Sequence, residues 1–481
     1  MHKAAASAAL TAAVITAFIL CGYKIRTHEA QVRLLFYDAE GKELTSKDVL
    51  GISEADGERC DAIMELSSMK VIREQPLHFS DAGIYCDTVQ SGEAVVMNWP
   101  AESDGYILAI LDNGGKGFKS GETVNFTFQA AEDMKHRLDK AVRDRKWRTP
   151  SNVYMKRYRS AEAELGIAEK AESEAVRGAY GSKAFDDLTD AYYLMLSEYG
   201  VKSFRECSGK YTDDGKWVGF TVDSVSDYKA KCDLAKKLGG DNTLIRIVFD
   251  EDTVPDDYRP LVRYASDIGI SIMGLPVDSS DAKDYSTAQY LARYKQWVAA
   301  FPEINVWETG NEVNGEWTGS DMAVKAWKAS EYVHGCAGKK AVMTLFYQIN
   351  TADEKHSMFN WVQENITPEM KSDIDTVLIS MYPEQAPAGP AVFDAVMQQV
   401  VEAFPGAKTG IGELGYWIDG EKQWWAFDKA DPYGNAREEL CGRYYDMSYG
   451  YEESVGGCFW WDFGSEFMKD KGLQEKMQAM R

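Results

Sequence analysis

The chain has 481 residues, 45% hydrophobic and 27% charged, the balance of a folded protein and too much chain for one ordinary domain. Its formal net charge of -23 argues against nucleic acid as a partner, because Lys and Arg would have to neutralise phosphates, and disfavours a strongly anionic polymer as substrate. Aromatic residues are plentiful, 13 Trp and 26 Tyr among them; such rings suit the C–H faces of sugars, although most will be core.

Residues 1–30 begin Met1-His2-Lys3 and continue as an uncharged run from Ala4 to Leu20, ahead of Cys21. A positive start followed by an apolar stretch predicts an export signal, so the protein is expected in the extracellular space or the periplasm. The run is close to the length of a bilayer span, so it serves either as a cleaved signal or as a membrane tether through residues 4–20. Of the eight Cys, seven follow Cys21, and an odd number in an exported chain requires at least one thiol. Cys60 and Cys86 are the expected pair, since both fall in one small β domain. No C-x-x-C spacing occurs, and no zinc or other metal site is expected.

Residues 31–129 carry short alternating runs (VRLLFYD, AVVMNW, GYILAILD, ETVNFTF) separated by turn formers such as Asp112-Asn113-Gly114-Gly115. This is the pattern of a β-sandwich-like domain, with either a sugar-binding or a spacer role. Residues 130–200 change to helical spacing, with Met134, Leu138 and Val142, and later Leu188, Tyr192 and Met195, set among charges; they predict a helical connector. From 201 to 481 strand-like and helix-like runs alternate. NTLIRIVFD, GISIMGLPV, INVWETGNE, KAVMTLFYQ, DTVLISMYP, TGIGELGYW and GGCFWWDFG are seven strand candidates, and SFRECS or WVGFTV supplies the eighth. Eight strands each followed by a helix predict a (β/α)8 TIM barrel of the α/β class, whose active site lies at the strand C-termini.

Two of those strand ends carry glutamates flanked by glycine and aromatics: Glu312 in TGNEVNGEW and Glu413 in GIGELGYW. A lone glutamate there is usually solvated or salt-bridged. A pair is what glycosidic-bond cleavage requires, one carboxyl protonating the leaving oxygen and the other attacking the anomeric carbon.

The sequence Gly-Asn-Glu at the fourth strand end, with a glutamate at the seventh, resembles clan A of the glycoside hydrolases over roughly the 280 residues of the barrel. That resemblance implies a retaining β-glycosidase in which Glu312 is the acid/base and Glu413 the nucleophile, their carboxyls about 5 Å apart. It also implies that Asn311 binds the sugar 2-hydroxyl, that Arg246 lies beneath Glu413, that Tyr382 donates to Glu413, and that Trp461 floors the sugar site. Adjacent strand residues face opposite ways, so Trp460 then belongs to the core. Trp317, Tyr347, Tyr416 and Trp417 are candidates for further subsites. Glu308, Asp250, Glu251, Glu384, Asp462 and Glu316 also lie near strand ends and are expected to contact sugar hydroxyls or to be solvated.

The reading is an exported retaining β-glycoside hydrolase acting on a polysaccharide or oligosaccharide, with no cofactor. The alternative is a non-catalytic carbohydrate-binding or scaffold barrel. A metal-dependent hydrolase would need several His at strand ends, and only His334 and His356 fall in the barrel, in helix or loop sequence. The sugar, endo or exo action and the oligomeric state are not legible.

Overall fold

The computed structural model describes residues 31–54, 59–101, 105–207, 215–335, 339–349, 354–383, 385–386, 388–416, 435–461 and 463–479, with side chains omitted over 435–441. The export or tether segment, Cys21, Cys336, Cys441, Glu384, Trp417 and Asp462 therefore lie outside the described residues or side chains.

Eight strands precede the helical region. They are β1 (Gln31–Leu35), β2 (Ala62–Glu65), β3 (Lys70–Glu74), β4 (Leu77–Ser80), β5 (Gly83–Asp87), β6 (Glu93–Ala101), β7 (Gly105–Leu111) and β8 (Thr123–Asn125), with helix α1 (Ser46–Ser53) between β1 and β2. They form two four-stranded sheets, ordered β4-β5-β1-β8 and β3-β2-β6-β7. Phe36, just past β1, packs against Trp99 of β6 (5.4 Å) and Phe126 (4.5 Å), an aromatic cluster that joins the two sheets to the first connector helix. Cys60 and Cys86 are both buried thiols and are not joined, which corrects the expected disulfide. The Cys60 sulfur instead accepts the Asn98 N–H at 3.4 Å.

The run ETVNFTF is a strand only as far as Asn125. The Asn125 side chain caps the following helix by accepting from the Phe128 N–H (3.3 Å), so Phe126 begins α2 rather than extending β8. The helices α2 (Phe126–Asp144), α3 (Asn152–Lys170) and α4 (Glu174–Glu206) follow. The 33-residue α4 spans about 50 Å at 1.5 Å per residue. Its last turns include Ser203 to Glu206, so the first barrel strand is WVGFTV: β9 (Trp217–Val222).

The remaining barrel strands are β10 (Thr243–Val248), β11 (Ser271–Leu275), β12 (Val306–Gly310), β13 (Lys340–Phe346), β14 (Thr376–Met381), β15 (Lys408–Leu414) and β16 (Ser454–Trp460). All eight pair in parallel and close in sequence order, β16 returning to β9. The interleaved helices are α5 (Tyr228–Gly239), α6 (Pro255–Asp267), α7 (Thr287–Ala300), α8 (Met322–His334), α9 (Met358–Asn365), α10 (Pro368–Ser372), α11 (Pro390–Ala403), α12 (Asn435–Ser448) and α13 (Lys471–Ala479). This is the predicted (β/α)8 barrel with β-sheets N-terminal to it.

The barrel interior is layered. Trp217, Leu244, Met273, Val306, Val342, Leu378, Val455 and Phe459 form an apolar cluster of their own. Two residues further along four of those strands, on the same face, stand Arg246, Glu308, Thr344 and Ser380, all fully buried. An apolar floor thus carries a polar layer directly beneath the strand C-termini.

Candidate active site

The polar layer converges on Arg246. Its Nε and Nη2 bond Glu308 at 2.5 and 3.1 Å, and Nη2 also reaches Glu413 Oε1 at 2.7 Å. Thr344 donates to Glu308 at 2.6 Å. Glu308 is therefore neither solvated nor free for sugar hydroxyls, contrary to the expectation: its position two residues above Val306 turns it inward, where the guanidinium fixes it. Burial raises its pKa, with Arg246 acting in the opposite sense. Burial also opposes the charge of Arg246, but Glu308 and Glu413 outweigh it and raise the pKa of the guanidinium.

Glu413 closes β15. Its Oε1 accepts from Arg246 and from Asn311 Nδ2 (2.9 Å), and its Oε2 accepts from the Tyr382 hydroxyl (2.6 Å). Arg246 and Tyr382 thus lie against Glu413. Burial and then Glu413 hold the Tyr382 hydroxyl pKa well up, so it remains a donor. A Cβ on Gly415 would come within 2.8 Å of the Tyr382 ring, so glycine there lets the ring reach its partner. Asn311 also donates to Glu308 (3.3 Å), so both of its observed side-chain donations go to carboxylates.

Glu312 lies beyond the end of β12 with a left-handed backbone, φ 46°. The approach to it is held from both sides. Tyr294 and Tyr290 of α7 donate to the carbonyls of Glu308 (2.6 Å) and Thr309 (3.1 Å), and the Val313 N–H bonds the Thr344 carbonyl (3.0 Å). A Cβ on Gly310 would meet Val313 and Ala326 at 2.6 and 2.7 Å, so only glycine fits this bulged strand end. Burial, then the Glu413 charge, push the Glu312 carboxyl well above its usual range; the Ser380 and Ser279 hydroxyls act the other way.

Two neighbours of this group were not singled out from sequence. Ser279 donates to Glu312 Oε2 at 3.0 Å, and Asp278 lies close enough that burial and Glu413 raise its pKa. Both sit in VDSS, just after the third strand, and position at a strand C-terminus was the available signal. Trp461 lies with Arg246 Cζ 5.4 Å from its ring centroid, while Trp460 is fully buried in the core. Trp317 is half-buried and packed edge-on against Phe346 at 5.1 Å. Tyr347 and Tyr416 are buried to 2% and 1% exposure. Asp250, Glu251 and Glu316 are exposed. Among the described residues no cluster of His, Cys, Asp and Glu is arranged to hold a metal ion.

Solved structures that resemble this one include a xylanase from Thermotoga petrophila in complex with xylobiose (13% identity, TM-score 0.40, covering 59% of this chain and 96% of that one). A thermostable mutant of a xylanase from Cellvibrio japonicus gives 14%, 0.41, 58% and 99%. A broad-specificity endoglucanase from Clostridium longisporum gives 13%, 0.37, 59% and 98%. Its structural neighbours are clan A glycoside hydrolases. Likenesses at this level describe a barrel and carry no reaction with them. No family model matches the chain, and no curated protein matches it in sequence.

Proposed function

We propose that this chain is a retaining β-glycoside hydrolase that cleaves a polysaccharide or oligosaccharide by double displacement. The observation that carries the reading is the opposed setting of the two glutamates. Glu413 is bonded by a cation, a phenol and an amide, which suits a carboxylate that must stay ionised to attack. Glu312 is buried beside that negative charge, which favours the protonated acid, with the Ser279 hydroxyl acting in the opposite sense.

In this scheme Glu312 gives its proton to the leaving glycosidic oxygen while Glu413 attacks the anomeric carbon from the opposite face. The bond to Glu413 removes its negative charge, which lowers the proton affinity of Glu312. Glu312 then takes a proton from the water that releases the sugar, restoring both groups. Asn311 is placed to turn one of its N–H donors from a carboxylate to the sugar 2-hydroxyl, and Trp461 offers an apolar face over Arg246. Export by the N-terminal segment, whether cleaved or kept as a membrane tether, and a carbohydrate substrate belong to the same proposal.

The test is hydrolysis of a panel of aryl β-glycosides and polysaccharides by the wild type and by Glu413→Ala with added azide. Loss of activity in the mutant, with azide restoring cleavage and giving an inverted glycosyl azide, is the expected result. A mutant with wild-type turnover would remove Glu413 from the mechanism. A wild type that binds one polysaccharide and cleaves none would favour the binding barrel.

A further inference from the structure

Ser279 joins the third barrel strand to the reacting end of the fourth. It lies in the loop after β11, 5% exposed, and makes two contacts with consecutive residues of another strand end: its N–H donates to Asn311 Oδ1 (2.9 Å) and its hydroxyl to Glu312 Oε2 (3.0 Å). The loop is shaped for this. Asp278 Oδ1 accepts both the N–H and the hydroxyl of Ser280, at 3.0 and 2.8 Å, and the carbonyls of Asp278 and Ser279 accept the N–H groups of Asp281 and Ala282. That turn fixes Ser279 while Glu312, past the strand end in a left-handed conformation, has its side chain to be held.

We propose that Ser279 is the positioning residue of the acid/base: its hydroxyl holds the Glu312 carboxyl in place and sets the pH at which Glu312 exchanges its proton. The inference rests on the glycosidase reading above for its catalytic meaning, though not for its chemistry. A donor hydroxyl favours the ionised form of a carboxylate, whereas burial and a nearby negative charge favour the protonated one. Among the described residues, the titratable groups around Glu312 are Glu413 from β15, Asp278 from the same loop as Ser279, and Tyr382 from the end of β14; Arg246 and Glu308 bond to Glu413 and Asn311. None of the three neighbours is a cation, so the hydroxyls are what offset the pull toward the protonated state. With Ser279 in place Glu312 can surrender its proton in the first step and accept one in the second.

The substitution Ser279→Ala isolates the hydroxyl, because the backbone N–H that orients Asn311 is retained. Two readouts are compared with the wild type: the pH profile of kcat/KM on aryl β-glycosides, and titration of 13C-labelled glutamate carboxyls by NMR, the Glu312 signal being assigned by its loss in Glu312→Gln. In S279A the Glu312 midpoint and the alkaline limb are both expected to rise by about one unit, from loss of one hydrogen bond to a charged group. The release step is expected to slow about tenfold, and Ser279→Thr to restore both. Ser279→Gly carries the same expectation should the alanine variant fold poorly. An unchanged NMR midpoint in both variants overturns the proposal whatever the activity. A raised midpoint in a protein whose wild type cleaves no glycoside upholds the positioning role and overturns the glycosidase reading instead.

Discussion

Glu312 combines a left-handed backbone with a buried carboxyl, and both features oppose folding. Its pKa is raised in the folded protein, so between the unfolded value, about 4.3, and the raised one the native state holds a proton that the unfolded chain has released. Stability from this group is therefore complete below about pH 4 and is lost as pH rises through the raised value. Glu312→Gln should match the wild type in denaturant midpoint at pH 4 and exceed it at pH 8, where its unfolding free energy should be about 1 kcal/mol higher. Equal midpoints at both pH values would contradict this sign. Arg246 makes the opposite case, since it is the cation bonded to two fully or nearly buried carboxylates. Arg246→Met leaves both uncompensated and should cost about 3–5 kcal/mol in chemical denaturation. Glu312 and Glu413 stand out in the sequence because each ends a recognisable strand, whereas Arg246 and Tyr382 are singled out only by the resemblance to clan A. Asp278 and Ser279 could not be singled out, since a VDSS loop carries no residue-level sign of which strand end it will touch.

The strand β12 and the turn after it decide where Glu312 stands. Gly310 is the point of closest approach, and Gly310→Ala should cost about 2 kcal/mol through overpacking against Val313 and Ala326. Because the displaced segment carries Asn311 and Glu312, kcat is expected to fall by more than tenfold in a variant that still folds, measured at saturating aryl glycoside. A variant with a lowered melting temperature and wild-type kcat would show that the bulge serves packing alone. The strands themselves were readable from β-branched and aromatic runs between helix-like segments. Their inward faces were partly so: Leu244 to Arg246, Val306 to Glu308, Val342 to Thr344 and Leu378 to Ser380 each repeat an apolar-then-polar step of two residues. Glu308 was misplaced because period-two parity gives a face but not whether that face meets water or an arginine. The Phe126 segment departs from its strand-like composition for a local reason, the Asn125 cap, and of the two alternatives for the first barrel strand the Ser203 segment yields to a helix already under way.

The N-terminal sheets, the helices and the barrel are fastened to one another by a few specific contacts. Asp394 of α11 accepts from Arg145, from Tyr192 of α4 at 2.7 Å and from Tyr451 at 3.0 Å, and both partners of the ion pair are largely buried. Gly200 of α4 lies so close to the Asp446 carbonyl that a Cβ would fall 1.8 Å from it. At the other side Asn360 of α9 bonds both the N–H and the carbonyl of Val71, capping the exposed edge of β3. Asp394→Ala should strand Arg145 and destabilise the protein by about 3–5 kcal/mol. Calorimetry is expected to show the helical layer melting ahead of the barrel, with kcat at 25 °C unchanged because Asp394 lies outside the carboxylate network. A single unshifted transition would mean that the latch contributes little.

The sequence by itself determined the class of fold and the chemistry available to it. Alternation of strand and helix periods, with two glutamates at strand ends, is written in local composition and spacing, and these survive without knowledge of what packs on what. Tertiary structure decided the setting of each carboxylate: Glu413 among donors, Glu312 buried beside its charge, Glu308 paired with Arg246. That setting depends on burial and on charges contributed by residues as far apart in sequence as Arg246 and Glu413, and such a field exists only once the barrel has closed.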